Sequence, residues 1–102
     1  MAVTVSRNPA AKRYEAHDEN GTLAGFAAYV TTDDMVVFTH TEVDPSFEGR
    51  GVGSALARAG LDDARAHGTR VMPLCPFINA WVRRHGEYAD LLFNAPPSRV
   101  TD

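Results

Sequence analysis

The sequence predicts a single mixed α/β (α+β) domain, in which an antiparallel meander leads into a β-α-β unit and a second helix. Three observations carry this expectation. Segments rich in β-branched and aromatic residues, separated by turn residues, fill the first half. Apolar residues at helical spacing fill most of the second. The chain has 102 residues, 44% hydrophobic and 23% charged, which allows one core and leaves no room for a second domain. The domain is expected over 1–102, with the segment 94–102 a flexible tail because it opens with Asn94-Ala95-Pro96-Pro97-Ser98.

The elements follow in order. Val3-Thr4-Val5 reads as a short first strand and Lys12 to His17 as a second. Asn20-Gly21 predicts a tight type I′ turn, because both central positions of that turn need positive φ. Thr22 to Thr31 is then the returning strand, Asp33-Asp34 the next turn, and Met35 to Val43 a central strand. Asp44-Pro45 ends it, since proline has no N–H for the ladder. A helix is expected from Gly51 to His67, with Val52, Leu56, Ala59, Gly60, Leu61 and Ala64 inward and Arg58, Asp62 and Arg65 toward water. Gly68 suits the position after its last turn. Arg70 to Leu74 reads as a buried strand parallel to the preceding one, because a helix separates the two. Pro76 opens a second helix to about His85, with Phe77, Ile78, Ala80 and Trp81 on its apolar side.

Charge and cysteine content narrow the function classes. Ten Lys+Arg against thirteen Asp+Glu give a net charge of -3, which argues against a grip on bulk nucleic acid or on anionic lipid. One cysteine, Cys75, cannot form an internal disulfide, so a reducing compartment and a cytoplasmic location are expected. The apolar run Leu23 to Val30 is far short of the ~20 residues that span a bilayer. His17, His40, His67 and His85 lack the spacing of a zinc centre, so no metal site is expected.

The chemistry concentrates in Phe47-Glu48-Gly49-Arg50-Gly51-Val52-Gly53-Ser54, a glycine-rich turn between a strand and a helix. Amides exposed at a helix start bind anions, and glycines let a phosphate ester or pyrophosphate approach the backbone. No lysine follows Gly53, which excludes a Walker loop, and Leu56 stands where a dinucleotide fingerprint needs its third glycine. Glu42 and His40 lie two apart on one strand, on the face that by alternation also carries Val36 and Phe38, and either is a candidate base. Cys75 stands at the start of the second helix, as a covalent relay for an acyl group or as a pocket residue. Arg50, Arg83 and Arg84 are candidate phosphate ligands.

Four blocks in this order, His40-Thr41-Glu42-Val43, Glu48-Gly49-Arg50-Gly51-Val52-Gly53, Pro73-Leu74-Cys75-Pro76-Phe77 and Arg84-His85-Gly86-Glu87-Tyr88, resemble the GCN5-related N-acetyltransferases, and among them the short YjdJ-type members. The resemblance covers roughly residues 3 to 92. Glu48 departs from it, standing where the family usually has Gln or Arg. The resemblance implies a fold without the family's usual final strands, and acetyl-CoA or CoA as cofactor. It implies that Val43 exposes backbone groups to the thioester and pantetheine arm, and that amides from Gly49 to Ser54 hold the pyrophosphate. The cofactor-binding set is thus Val43, Glu48, Gly49, Arg50, Gly51, Val52, Gly53, Ser54 and Arg83. The catalytic set is Glu42, His40 and Cys75, with Glu42 taking the proton as an amine attacks the thioester directly. Tyr88 resembles a tyrosine that protonates the leaving thiolate in other members, and packing beside Leu91 and Leu92 is the alternative. The acceptor, a lysine or small amine, would meet an open surface or one completed by a second copy in a homodimer. A CoA-binding module with little or no catalysis is the alternative function.

Overall fold

A computed structural model of the chain describes residues 2–93. The tail expected over 94–102 lies outside them. Five strands form one sheet among the described residues: β1 (Thr4–Asn8), β2 (Arg13–His17), β3 (Leu23–Thr31), β4 (Met35–Val43) and β5 (Arg70–Pro73), side by side in that order. The first four pair antiparallel, and β5 runs parallel to β4 after the helix α1 (Val52–His67). A second helix, α2 (Pro76–Arg84), follows, and 3-10 turns occupy Pro45–Phe47 and Gly86–Leu91. The first strand sits later than Val3 to Val5, because its register against β2 runs from Thr4 opposite His17 to Asn8 opposite Arg13.

Two local features depart from the sequence expectation. The β2–β3 connection is not a two-residue type I′ turn. Gly21 alone has positive φ, +80°, and its N–H donates to the Asp18 carbonyl at 3.0 Å. The Asp18 carboxylate also accepts from the amides of Asn20 and Thr22, both at 2.9 Å. An aspartate that satisfies two loop amides favours the longer loop, in which only the glycine takes the left-handed conformation. The second departure is a bulge in β4. Phe38 lies opposite Tyr29 and His40 opposite Ala28, which leaves Thr39 as an extra residue. Alternation therefore reverses there. Val36 and Phe38 are buried before it, and Thr41 and Val43 turn partly inward after it, while His40 and Glu42 are exposed.

Both helices pack on the face that carries Tyr29, Phe38 and Thr41. The Phe38 ring lies over Gly60 of α1, where a Cβ would come within 2.8 Å of it. From α1 the buried side chains are Val52, Leu56, Ala57, Leu61 and Ala64, with Ala57 rather than Ala59 facing the sheet. Gly68 ends the helix with φ +69°, its N–H returning to Ala64 and Arg65. From α2 the core takes Ile78, Trp81 and Val82. Phe77, expected in the core, is 39% exposed. It stands at the margin of the buried face, and its ring instead covers Gly53 at the head of α1. The opposite face of the sheet, with Glu15, Phe26, His40 and Glu42, carries neither helix.

Candidate functional site

The loop that enters α1 is built from local hydrogen bonds and two left-handed glycines. Asp44 caps the 3-10 turn, accepting from the Ser46 hydroxyl at 2.6 Å and the Ser46 amide at 2.9 Å. These bonds hold its carboxyl below the usual aspartate range. The chain then passes through Gly49, with φ +80°, and Gly51, with φ +78°, before the helix begins. A Cβ at either position would meet nothing within 4 Å, so backbone conformation and not space requires glycine there. Gly51 is the N-cap residue of α1. Among the described residues no side chain caps this end, and its first turn contains no acid. Ala55 is the first residue to donate within the helix, to the Gly51 carbonyl at 3.0 Å. The amides of Val52, Gly53 and Ser54 thus precede any intrahelical acceptor and carry the positive end of the helix dipole.

This end of α1 opens on a cavity of about 330 Å³. Val43, Glu48, Gly49, Gly51, Val52, Gly53 and Ser54, all expected to bind cofactor, line it together with Phe47 and Phe77. Sequence reasoning missed these two aromatics. The signal for Phe77 was its place directly after Pro76 at the margin of the apolar face. The Ser54 hydroxyl is engaged, accepting from Trp81 Nε1 at 3.0 Å. Arg50 and Arg83 are not among the lining residues. The Arg50 guanidinium lies 5.9 Å from the Phe47 ring. Arg83 donates through Nε to Asn79 at 2.8 Å and lines a separate groove of about 410 Å³ between α2 and the outer side of β5, where Leu92 pairs with Val71, together with Leu74 and Phe93.

Beside this cavity, β4 and β5 part. Their pairing ends at Phe38 opposite Pro73, with one further bond from the Cys75 N–H to the Phe38 carbonyl at 2.9 Å. Past that point, among the described residues, the remainder of β4 is paired on its β3 side alone. Cys75 sits at the fork, 2% exposed, its thiol donating to Thr41 Oγ1 at 3.2 Å. His40 and Glu42 do not share the face of Val36 and Phe38. The bulge at Thr39 places them on the helix-free side, 3.0 Å apart, with side chains 61% and 63% exposed. The Phe26 ring on the same face lies 6.0 Å from that of His40. Glu42 and Phe26 line a second cavity of about 170 Å³, which shares Val43 with the cavity at the helix head. Glu42 therefore lies next to the fork, whereas Cys75 lies beneath it on the other face.

Tyr88 is buried and turned toward the second half of α1, away from both cavities. Its hydroxyl donates to Asp62 at 2.6 Å and accepts from Arg58 at 3.2 Å. The bond to Asp62, with burial, raises its pKa. Its ring packs 5.7 Å from Trp81. Among the described residues no three His, Cys, Asp or Glu side chains gather as a metal site, and no helix is long and apolar enough to cross a membrane.

The GCN5-related N-acetyltransferase family profile matches residues 13–91, from β2 through the last 3-10 turn, and so includes both cavities. Solved structures share the fold. A GCN5-like candidate N-acetyltransferase from Staphylococcus aureus is 20% identical with a TM-score of 0.68, over 97% of this chain and 96% of that one. Ard1 from Thermoplasma volcanium is 22% identical with a TM-score of 0.56, over 76% of this chain and 53% of that one. The acetyltransferase AAC(6')-Iy, in complex with a bisubstrate analogue of CoA and acetylneamine, is 19% identical with a TM-score of 0.51, over 88% of this chain and 67% of that one. At these identities the likeness is one of fold. No curated protein matches the chain.

Proposed function

Because the chain belongs to the GCN5-related N-acetyltransferase family, we propose that it moves an acetyl group from acetyl-CoA to a primary amine, a lysine side chain or a small amine, by direct attack on the thioester. One observation supports this above the others: the uncapped amides of Val52, Gly53 and Ser54 face the same cavity that Val43 lines at the fork between β4 and β5. A pyrophosphate fits the amides. An extended pantetheine arm fits the unpaired backbone of β4, which offers donors and acceptors as a strand edge does. The acetyl carbonyl would then lie near Val43, within reach of an amine entering through the Glu42 and Phe26 cavity.

Each residue then has a defined task. Backbone amides at the end of β4 stabilise the oxyanion as the amine adds to the carbonyl. Glu42, exposed and next to the fork, takes the proton from the amine, and His40 at 3.0 Å passes it to solvent. Cys75 supports the fork through Thr41. Its burial on the other face of the sheet disfavours an acetyl-cysteine. The test is turnover with acetyl-CoA and a panel of amines, read as free thiol released. Glu42→Gln is expected to lower the rate by about 10²-fold and to move the pH optimum upward, because the amine must then lose its proton to water. An unchanged pH–rate profile would remove Glu42 from the mechanism. An acetyl adduct on the wild-type protein that Cys75→Ala abolishes would replace direct attack with a relay.

One observation favours a second reading, a CoA-binding module without catalysis. The bulge at Thr39 separates the three candidate catalytic residues, leaving His40 and Glu42 on an open face and Cys75 underneath. Binding of acetyl-CoA with no turnover on any amine would establish that reading over transfer.

A further inference from the structure

The helix-free face of the sheet carries apolar side chains that neither helix covers. Phe26, Ala28 and Val30 of β3 alternate with core residues, and Val37 of β4, opposite Val30, and Met72 of β5, opposite Val37, continue the patch. None of the five belongs to the core cluster, and Val30 is 45% exposed. Leu23, 36% exposed, lines the cavity of Glu42 and Phe26 at one end of this face. Register orders the charged groups around the patch. Glu15, Phe26 and Glu42 lie in one cross-strand row, and Arg13, Ala28 and His40 in the next, about 7 Å away along the strands. Arg13 reaches Glu15 at 2.7 Å and lies 4.6 Å from the Phe26 ring, and His40 reaches Glu42 at 3.0 Å. One row is thus acidic, the other basic, and each has an apolar residue at its centre. A polycation or a polyanion matches only half of such a face, whereas a second copy matches all of it.

We propose that this face packs against the same face of a second copy, about a two-fold axis that lies in the interface, crosses the strands and passes between the two rows. That axis sets each row against the other. Glu15 meets the partner's Arg13, Glu42 the partner's His40, Phe26 the partner's Ala28, and Leu23 the partner's Val30. The two charged pairs and the Phe26 contact lie within one strand of the centre of the sheet, where its twist displaces them least. A two-fold axis along β3 would instead set Glu15 against the partner's Glu42, which like charge disfavours. The size suffices. Five strands of up to nine residues make a face of at most ~700 Å², near the ~800 Å² that each partner buries in a standard interface. The second copy also completes a site, because the partner's Val30 comes over Leu23 and adds a wall to the cavity of Glu42 and Phe26. This enclosure of the acceptor rests on the transfer reading above, whereas the interface itself does not.

The experiment is sedimentation velocity over a broad concentration range, without CoA, on the wild type, Val30→Glu, Arg13→Glu and Glu15→Arg. The wild type is expected to form a dimer, and Val30→Glu to weaken it about tenfold or more. Arg13→Glu and Glu15→Arg each bring like charges together across the axis, so each should self-associate about tenfold more weakly than wild type. Mixed in equal amounts, these two variants should recover the dimer, because an acidic face then meets a basic one. Mixing cannot repair an effect confined to the Arg13–Glu15 pair within one chain. A wild type that stays monomeric up to millimolar concentration, a dimer that survives Val30→Glu, or a mixture that associates no better than its two components would overturn the proposal. With no ligand in the cell, none of these outcomes depends on the cofactor reading, which titration with acetyl-CoA tests separately.

Discussion

At residue scale, the glycines are required for different reasons. A Cβ on Gly25 would lie 2.6 Å from the Glu42 carbonyl oxygen and 3.2 Å from Val52 Cγ1. Backbone cannot swing aside, so Gly25→Ala is expected to cost at least ~2 kcal/mol and to disturb the end of β4. Gly60→Ala sets two effects against each other: a gain of ~1 kcal/mol in helix propensity and overpacking of the fully buried Phe38 ring by ~1–3 kcal/mol. Overpacking wins, and a net loss of ~1 kcal/mol is expected from both terms. At Gly53 the obstacle is the half-exposed Phe77 ring, which can move, so Gly53→Ala should change stability little. Ser54→Ala removes the acceptor of the buried Trp81 N–H and should cost ~1–2 kcal/mol. Urea unfolding midpoints check all four. The sequence presents Gly49, Gly51 and Gly53 as one set with one purpose. The structure divides them: the first two are needed for φ, whereas the third meets only the Phe77 ring, which can give way, a contact made by a helix distant in sequence.

At the scale of elements, the last 3-10 turn is tied to α1 by charged and polar contacts. Arg65 donates to both carboxylate oxygens of Asp90, at 3.1 and 2.9 Å. This pairing holds the Asp90 carboxyl below its usual range. The pair is exposed, so its contribution is small. Its sign is definite. Stability from a depressed carboxyl is present above the ordinary value near ~4 and is lost as pH falls through the folded value. Glu15, lowered by Arg13 and Asn8, behaves alike. Asp90→Asn should therefore flatten the fall in stability below pH ~4. Tyr88 works the other way, because its raised pKa gives stability that is full below the ordinary value near ~10 and lost at higher pH. Tyr88→Phe should flatten the alkaline limb, as read from unfolding midpoints on either side of pH ~10. The helices and the strand order were legible from periodicity. The bulge at Thr39 was not, because Val36, Phe38, His40 and Glu42 keep an unbroken two-residue spacing in sequence. The extra residue is set by pairing with β3. The same holds for the β2–β3 loop, where Asn20-Gly21 signals a shorter turn and Asp18 decides the longer one.

At the scale of the whole molecule, the order of elements places the head of α1, the fork between β4 and β5 and the start of α2 at one end of the sheet. That convergence was legible because the helix of a β-α-β unit carries the chain back so that its second strand runs parallel to the first and ends at the same end of the sheet. Which side chains face the cavity and which face the open sheet was not, since a one-residue bulge reverses sides and Arg83 turns to the groove beside β5. The central claim is that CoA occupies the cavity at the head of α1. Titrating acetyl-CoA into isotopically labelled protein and following backbone amide resonances tests it most directly. The account predicts that the amides of Gly49, Gly51, Val52, Gly53 and Ser54 shift together and saturate at one ligand per chain. Shifts confined to the groove of Leu74, Arg83 and Phe93, or no shifts at all, would contradict it.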